Sequence, residues 1–370
     1  MQKSQGTECV DRSASPYFED SILDIVLRRQ NMPTLFDVCD SETNVMSENG
    51  SRGHSPFTEA RSTRSSPQGF TDKCLYLTGR PTLRDFLHYV KSHSANPEDE
   101  GLLTDQWRSA REIVLTLEKT EAGLADNPNI VRIELKSEYE ELLTNFVKDP
   151  LVQHGFNTVP TEIAFVELDS MVVYQKHIDL SYVEQLERKL GESPSWEKVF
   201  LTCFPLEHPV PPVTWSRVHG GSYVFVSPSN DIRFLGAMQL QPGNIKDIPP
   251  PGNMVGVVGI AVGFGSNFLN AIQVENRLIL NNGSHRAYAL RKLGIARVPC
   301  IVQHVHSRDE LDAVADSEVM RDPEYLLHNP RPSMLRDYFN PELYKVMQVK
   351  RRLYQVTVKF DVEQNYMPAL

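Results

Sequence analysis

The polar cluster Asn282, Gly283, Ser284, His285 and Arg286 has the clearest chemical potential in this sequence. Serine and histidine donate hydrogen bonds to phosphate oxygens, arginine binds them in a bidentate manner, and glycine lets a backbone approach closely. Histidine also titrates near neutrality, so His285 could serve as an acid or a base. The cluster predicts a phosphate site with Arg286 as its main ligand. In the structural alternative, Arg286 caps a local carboxylate, Gly283 only makes the turn, and His285 donates to a backbone carbonyl.

Two strands and one helix are predicted to position this cluster. Residues 278–280 form a short apolar run, which is typical of a buried strand, and residues 297–302 form another. Between them Ala287, Leu290 and Leu293 recur at helical spacing, and Gly294 follows as a stop signal. Ser284 is predicted as the helix N-cap. The cluster therefore lies at a helix N-terminus, where free N–H groups and the positive end of the dipole attract anions.

Segment 278–302, LILNNGSHRAYALRKLGIARVPCIV, resembles the signature of the ParB/sulfiredoxin fold. In that superfamily a strand ends in a Gly-x-[His/Arg]-Arg turn, an Ala- and Leu-rich helix follows, and a Leu-Gly pair precedes a Val-Pro-x-Ile-Val strand. The matching residues here are Gly283, Ser284, His285, Arg286, Ala287, Leu293, Gly294, Val298, Pro299, Ile301 and Val302. Residues 163–190 resemble the opening strand, glutamine-bearing loop and first helix of the same domain, and residues 270–275 the strand before the signature. The turn has no cysteine, so sulfiredoxin-type reductase chemistry is not expected.

The resemblance implies an α+β, ParB/sulfiredoxin-like mixed domain that binds ATP or another nucleotide. Lys176 lies in the loop that corresponds to the glutamine-bearing loop of ParB-like domains, so it is a candidate second phosphate contact. A solvated loop is the alternative for Lys176. Phosphoryl transfer would also need a carboxylate that positions Mg²⁺ or accepts the substrate proton. Glu167 and Asp169, at the end of the first strand, are the candidates for this catalytic role, and Glu275 is another. Most surface carboxylates have no such role.

Composition excludes several classes of protein. The formal net charge of −10 over 370 residues argues against a general nucleic-acid binder, because such proteins neutralise phosphates with Lys and Arg. Five scattered cysteines form no C-x-x-C pair, so neither a cysteine-based zinc site nor a disulfide framework is expected. No apolar run reaches the length of a membrane span, and the first residues lack the pattern of a signal peptide. A cytoplasmic location and no membrane partner are therefore expected.

Four regions are predicted along the chain. Residues 1–70 are poor in apolar periodicity and are expected to form a disordered tail. Residues 71–158 are predicted as a helical block, and residues 159–306 as the nucleotide-binding domain. That domain is interrupted by a Pro- and Gly-rich insertion at 192–267. Residues 307–370 are predicted as a C-terminal extension with a helix and a strand.

Three functions remain open from the sequence. The first is a nucleotide-dependent enzyme that phosphorylates or activates a small-molecule acceptor, with the insertion closing over the substrate. The second is a nucleotide-gated, DNA-associated protein like the partition ParB proteins, although no clear recognition helix is present and the net charge is acidic. The third is a non-catalytic binding module that keeps the fold without the chemistry.

Overall fold

The computed structural model describes residues 71–133, 139–208, 210–218, 221–240, 252, 256–364 and 366. The predicted tail, residues 1–70, lies outside this part of the chain. The described residues fall into two compact units, which we call the main unit (71–211 and 263–353) and the insertion unit (212–262 and 354–366). The chain is of the mixed α+β class, as expected. None of the described helices combines the length and the apolar character that crossing a bilayer requires.

The elements alternate along the chain. The strands are β1 (Thr71–Leu77), β2 (Ile130–Arg132), β3 (Thr161–Glu167), β4 (His177–Asp179), β5 (Thr214–Val218), β6 (Ser222–Ser227), β7 (Ile232–Leu240), β8 (Val257–Phe264), β9 (Asn270–Val274), β10 (Arg277–Asn282), β11 (Arg297–Val305), β12 (Tyr344–Lys350) and β13 (Tyr354–Val358). The helices are α1 (Leu83–His93), α2 (Glu100–Thr120), α3 (Glu140–Val147), α4 (Pro150–Gly155), α5 (Leu180–Leu190), α6 (Trp196–Cys203), α7 (Ser284–Lys292), α8 (Arg308–Val314) and α9 (Pro323–His328).

A five-stranded sheet organises the main unit, in the order β10-β9-β11-β3-β2. Strands β9 and β11 run parallel, and the other neighbours are antiparallel. Helices α5, α6 and α7 pack together, and their apolar side chains share one core with β3, β10 and β11. The predicted strand–turn–helix–strand order of residues 277–305 is confirmed. The parallel β9–β11 pair requires a crossover, and α7 lies within it.

A second sheet, β12-β1-β4, joins the ends of the main unit. Strand β1 lies in the region predicted as a helical block, so that description is incomplete. β1 pairs along its whole length with β12, with Thr71 opposite Lys350 and Leu77 opposite Tyr344. The paired residues are more than 260 positions apart in the sequence. Because the partners of β1 are so distant, its strand character depends on tertiary contacts that local periodicity does not reveal.

Helix α6 corrects the predicted boundary of the insertion. It lies inside residues 192–267, yet Val199, Phe200 and Cys203 are buried in the core of the main unit. Together with Trp196 these residues follow the i, i+3, i+4, i+7 spacing of an amphipathic helix. Ser195 caps the helix by accepting a hydrogen bond from the Lys198 amide at 3.4 Å. The separate insertion unit therefore starts near residue 212 rather than at 192.

A buried ionic cluster fixes the C-terminal part of the main unit. Arg331, only 1% exposed, donates two hydrogen bonds to Asp337, at 2.6 and 3.1 Å, and one to Glu121 at 2.9 Å. Arg80 donates to the same Asp337 carboxylate at 3.1 Å. The charges are compensated by hydrogen-bonded partners, which is the condition for burying them. The cluster joins the turn after β1, the end of α2 and the segment after α9.

The insertion unit contains a three-stranded antiparallel sheet, β13-β6-β5, and the two-stranded sheet β7-β8. The strand that the sequence predicts in the C-terminal extension is confirmed as β13. Three large apolar residues of this unit are almost fully buried, namely Ile232, Val356 and Val358.

Candidate functional site

The first turn of α7 carries the residues that the sequence singled out. Gly283 is the N-cap, with φ 101°, and Ser284 is the first helical residue, so the prediction of Ser284 as N-cap is wrong by one position. A Cβ on Gly283 would lie 2.8 Å from Leu269 Cδ1, so packing as well as backbone conformation requires glycine here. No side chain caps the helix at this end.

Arg286 is directed into the protein and not toward an open anion site. Its Nη1 donates hydrogen bonds to the carbonyl oxygens of Thr202 at 3.4 Å, Cys203 at 3.3 Å and Asn267. Two of these carbonyls belong to the last turn of α6, whose C-terminal carbonyls lack helical donors. The side chain is 5% exposed. The geometry matches the structural alternative, with main-chain carbonyls in place of the expected carboxylate.

His285 faces α5 and has an unused ring nitrogen. Its ring makes an edge-on contact with Tyr182, with the centroids 5.6 Å apart. The Nε2 atom is buried, and it has no hydrogen-bond partner among the described residues. Burial, and then the charge of Arg286, lowers the pKa of His285 to about 4. His285 is therefore a neutral imidazole at physiological pH. It lies in the first turn of a helix whose N-terminus has no side-chain cap.

The loop 174–177 lies against this turn, as the sequence led us to expect. Tyr174 donates a hydrogen bond to the Asn281 carbonyl at 2.8 Å, immediately before the turn. Lys176 is exposed, and its carbonyl accepts a bond from the Leu77 amide at 2.8 Å. Gln175 is used internally, because its amide donates to the His177 carbonyl at 2.7 Å. Burial, together with the charges of Arg352 and His285, lowers the pKa of His177 to about 3.

Two asparagines hold the strand that enters the turn. Asn282 donates to the Ser266 carbonyl at 3.2 Å, so the segment that leads into β9 is tied to the turn from the other side. Asn281 donates to Asn270 Oδ1 at 3.0 Å and accepts from the Asp316 amide at 2.9 Å. Asn281 is therefore a positioning residue that was not predicted from the sequence. The Asn-Asn pair directly after an apolar strand was a signal that could have indicated it.

The predicted catalytic carboxylates do not converge with His285. Asp169 forms a bidentate ion pair with Arg291, at 2.7 and 3.0 Å, beside the last turn of α7. Glu167 is the antiparallel strand partner of Arg297 at the start of β11, which is also beyond the end of α7. His285 lies in the first turn, roughly 9 Å from Arg291 along the helix axis at 1.5 Å per residue. The expected arrangement of base, carboxylate and phosphate ligand is therefore absent, because α7 separates its parts.

The described residues also contain no preformed cluster of metal ligands. No group of three or more histidine, cysteine, aspartate or glutamate side chains in this part of the chain could hold a metal ion. Glu275 is exposed in the turn between β9 and β10, and its carboxylate lies 4.0 Å from His328 Nδ1. Glu275 is thus a solvated surface carboxylate.

Comparison with known proteins adds no assignment: no family model, curated protein sequence or solved structure matches this chain. The site must therefore be judged from its own geometry.

Proposed function

We propose that the chain binds the phosphate groups of a nucleotide at the first turn of α7 and acts as a binding module. The observation that carries this proposal is the buried, unpartnered Nε2 of His285 beside an uncapped helix N-terminus. An anion is the ligand that such an end attracts, through its free N–H groups and the helix dipole. The resemblance of residues 278–302 to the ParB/sulfiredoxin signature supports a nucleotide as the source of that anion.

His285 and Lys176 replace Arg286 as the expected phosphate contacts. Arg286 already donates to three carbonyl oxygens, and withdrawing it would remove this donor from Thr202 and Asn267, whereas the Cys203 carbonyl also accepts from the Leu269 amide at 2.8 Å. His285 has no protein partner to lose at Nε2, but this atom is buried, so the ring must become accessible before Nε2 donates a hydrogen bond to a phosphate oxygen. Lys176 is exposed in the loop that contacts the turn through Tyr174, so it remains the candidate for a second phosphate contact.

The separation of the carboxylates favours binding over phosphoryl transfer. Asp169 is engaged by Arg291 in the last turn of α7, whereas His285 lies in the first turn. A transferring enzyme needs a carboxylate or a metal within hydrogen-bonding reach of the reacting phosphate. The proposal thus differs from the three functions that the sequence left open, because it keeps the nucleotide of the first two and the lack of catalysis of the third.

Calorimetric titration tests this proposal. The full-length protein would be titrated with ATP, GTP, CTP and UTP, each in the presence of Mg²⁺. We expect saturable binding of at least one nucleotide and a loss of at least tenfold in affinity for His285→Gln. His306→Gln is the matched control, because His306 is exposed and follows the C-terminal end of β11, away from the end that follows α7. Absence of binding at millimolar nucleotide, or equal affinities for wild type and His285→Gln, would refute the proposal.

A further inference from the structure

Strand β5 presents a free edge in the insertion unit. In the described part of the chain it pairs with β6 alone, and all five of its residues are exposed. Trp215, the second residue of the strand, is 66% exposed, which is unusual for the largest apolar side chain. An unpaired edge with an exposed aromatic residue is a template for another strand.

Among the described residues of the insertion unit, more large apolar side chains are exposed than are buried. The four apolar clusters of the described residues all lie in the main unit. The insertion unit instead carries exposed large apolar side chains on three strands, namely Trp215 and Val218 on β5, Leu235 and Met238 on β7, and Val258 on β8. Exposed apolar residues on a free strand edge favour an interaction at β5.

We propose that β5 pairs antiparallel with β5 of a second copy of this chain, about a twofold axis at Ser216. The register follows from the limits of the strand. Pro211 and Pro212 precede it and lack the N–H groups that a ladder needs, and the strand ends at Val218. Pairing the five residues of β5 with themselves places Thr214 opposite Val218, Trp215 opposite Arg217, and Ser216 opposite its own counterpart.

This register is electrostatically complementary, which is the reason for choosing a second copy over another partner. Within one chain Trp215 stacks on Phe225, with centroids 6.3 Å apart, and the Arg217 guanidinium lies 6.0 Å from the Tyr223 ring centroid. The four side chains share one face of the sheet, because Trp215 and Arg217 are the cross-strand partners of Phe225 and Tyr223. Across the axis each Trp215 would meet the Arg217 of the other copy, so that the cation lies between two aromatic rings. Such a self-complementary patch is what a twofold interface requires.

Analytical ultracentrifugation of the full chain tests the surface. We expect a concentration-dependent dimer for wild type and a shift of at least tenfold toward monomer for Trp215→Lys. The matched control is Leu102→Lys, because Leu102 on α2 is also 66% exposed. A wild type that stays monomeric at a protein concentration on the order of 100 μM would overturn the proposal. It would indicate that a different protein binds the edge of β5. Unchanged dimerisation of Trp215→Lys would overturn it equally.

Directed crosslinking tests the register. In a Cys9→Ser/Cys39→Ser background, Ser216→Cys should form a disulfide-linked dimer on mild oxidation, because facing residues of an antiparallel pair have Cα atoms about 4.5–5.5 Å apart. Thr214→Cys should not crosslink, since each copy lies four residues from its counterpart in this register. Cys74, Cys203 and Cys300 are buried and should not compete. Equal crosslinking of the two variants, or none in Ser216→Cys, would rule out pairing at Ser216.

Discussion

Arg286 is best understood as a donor to the end of a neighbouring helix. Its guanidinium is almost fully buried and serves carbonyls of Thr202, Cys203 and Asn267. We predict that Arg286→Ala lowers the free energy of unfolding by about 2–4 kcal/mol, because it removes a charged donor from three carbonyls and leaves a cavity where a nearly buried side chain packed. Urea denaturation measures this loss.

Arg291→Ala is the control for that experiment, in the same helix. Arg291 pairs with Asp169, and both side chains are about one-third exposed, at 33% and 34%. A partly exposed pair contributes about 1 kcal/mol or less. If the two variants lose the same stability, Arg286 does not have the structural role assigned to it here.

His285 and His177 should make folding sensitive to mild acid. Burial lowers the pKa of His285 to about 4 and that of His177 to about 3, from an ordinary value of 6.5. The unfolded chain therefore binds more protons than the folded chain below pH 6.5. The contribution of the two neutral imidazoles to the free energy of unfolding is fully present above pH 6.5. It is lost as the pH falls toward 4.

We predict that His285→Phe reduces this pH dependence. Each unit of pKa difference corresponds to about 1.4 kcal/mol, so the wild type should lose stability more steeply than the variant between pH 6.5 and 4. Chemical denaturation at several pH values measures the slope. His306→Phe should leave it unchanged, since His306 is exposed. A slope in His285→Phe as steep as in wild type would contradict burial of a neutral imidazole.

At the scale of elements, helix α7 depends on glycine at both ends for different reasons. Gly283 has φ 101° and lies against Leu269, whereas Gly294 has φ 83° with open space where a Cβ would lie. We predict that Gly283→Ala destabilises the protein more than Gly294→Ala. Both substitutions carry backbone strain of about 1–3 kcal/mol, but only Gly283→Ala adds a packing clash. Equal melting temperatures for the two variants would show that Leu269 moves aside at little cost.

The elements around α7 could be predicted because their signals are local. Apolar runs predict β10 and β11, helical spacing predicts α7, and Gly294 marks its end. The partners of Arg286 could not be predicted, since Thr202 lies 84 residues away in the sequence. Strand β1 was missed for the same reason, because its strand state depends on β12. Helix α6 was not predicted because its amphipathic pattern spans only eight residues and lies next to Pro-rich segments, which indicated an insertion.

At the scale of the whole molecule, the apolar clusters of the described residues all belong to the main unit. We predict that a chain with residues 212–262 replaced by a Gly/Ser linker, and with residues 354–370 removed, still unfolds cooperatively. Its thermal midpoint should stay close to that of wild type, as followed by circular dichroism. A broad, non-cooperative transition would show that the main unit depends on the insertion unit for its core.

The central claim is that a nucleotide phosphate binds against His285. Calorimetry at pH 6 in two buffers with different ionisation enthalpies counts the protons taken up on binding. A phosphate beside Nε2 favours the imidazolium, so its pKa should rise from about 4 in the free protein. We predict net proton uptake for wild type that exceeds the value for His285→Gln by up to one proton. Nucleotide binding with the same proton uptake in both proteins would contradict the account.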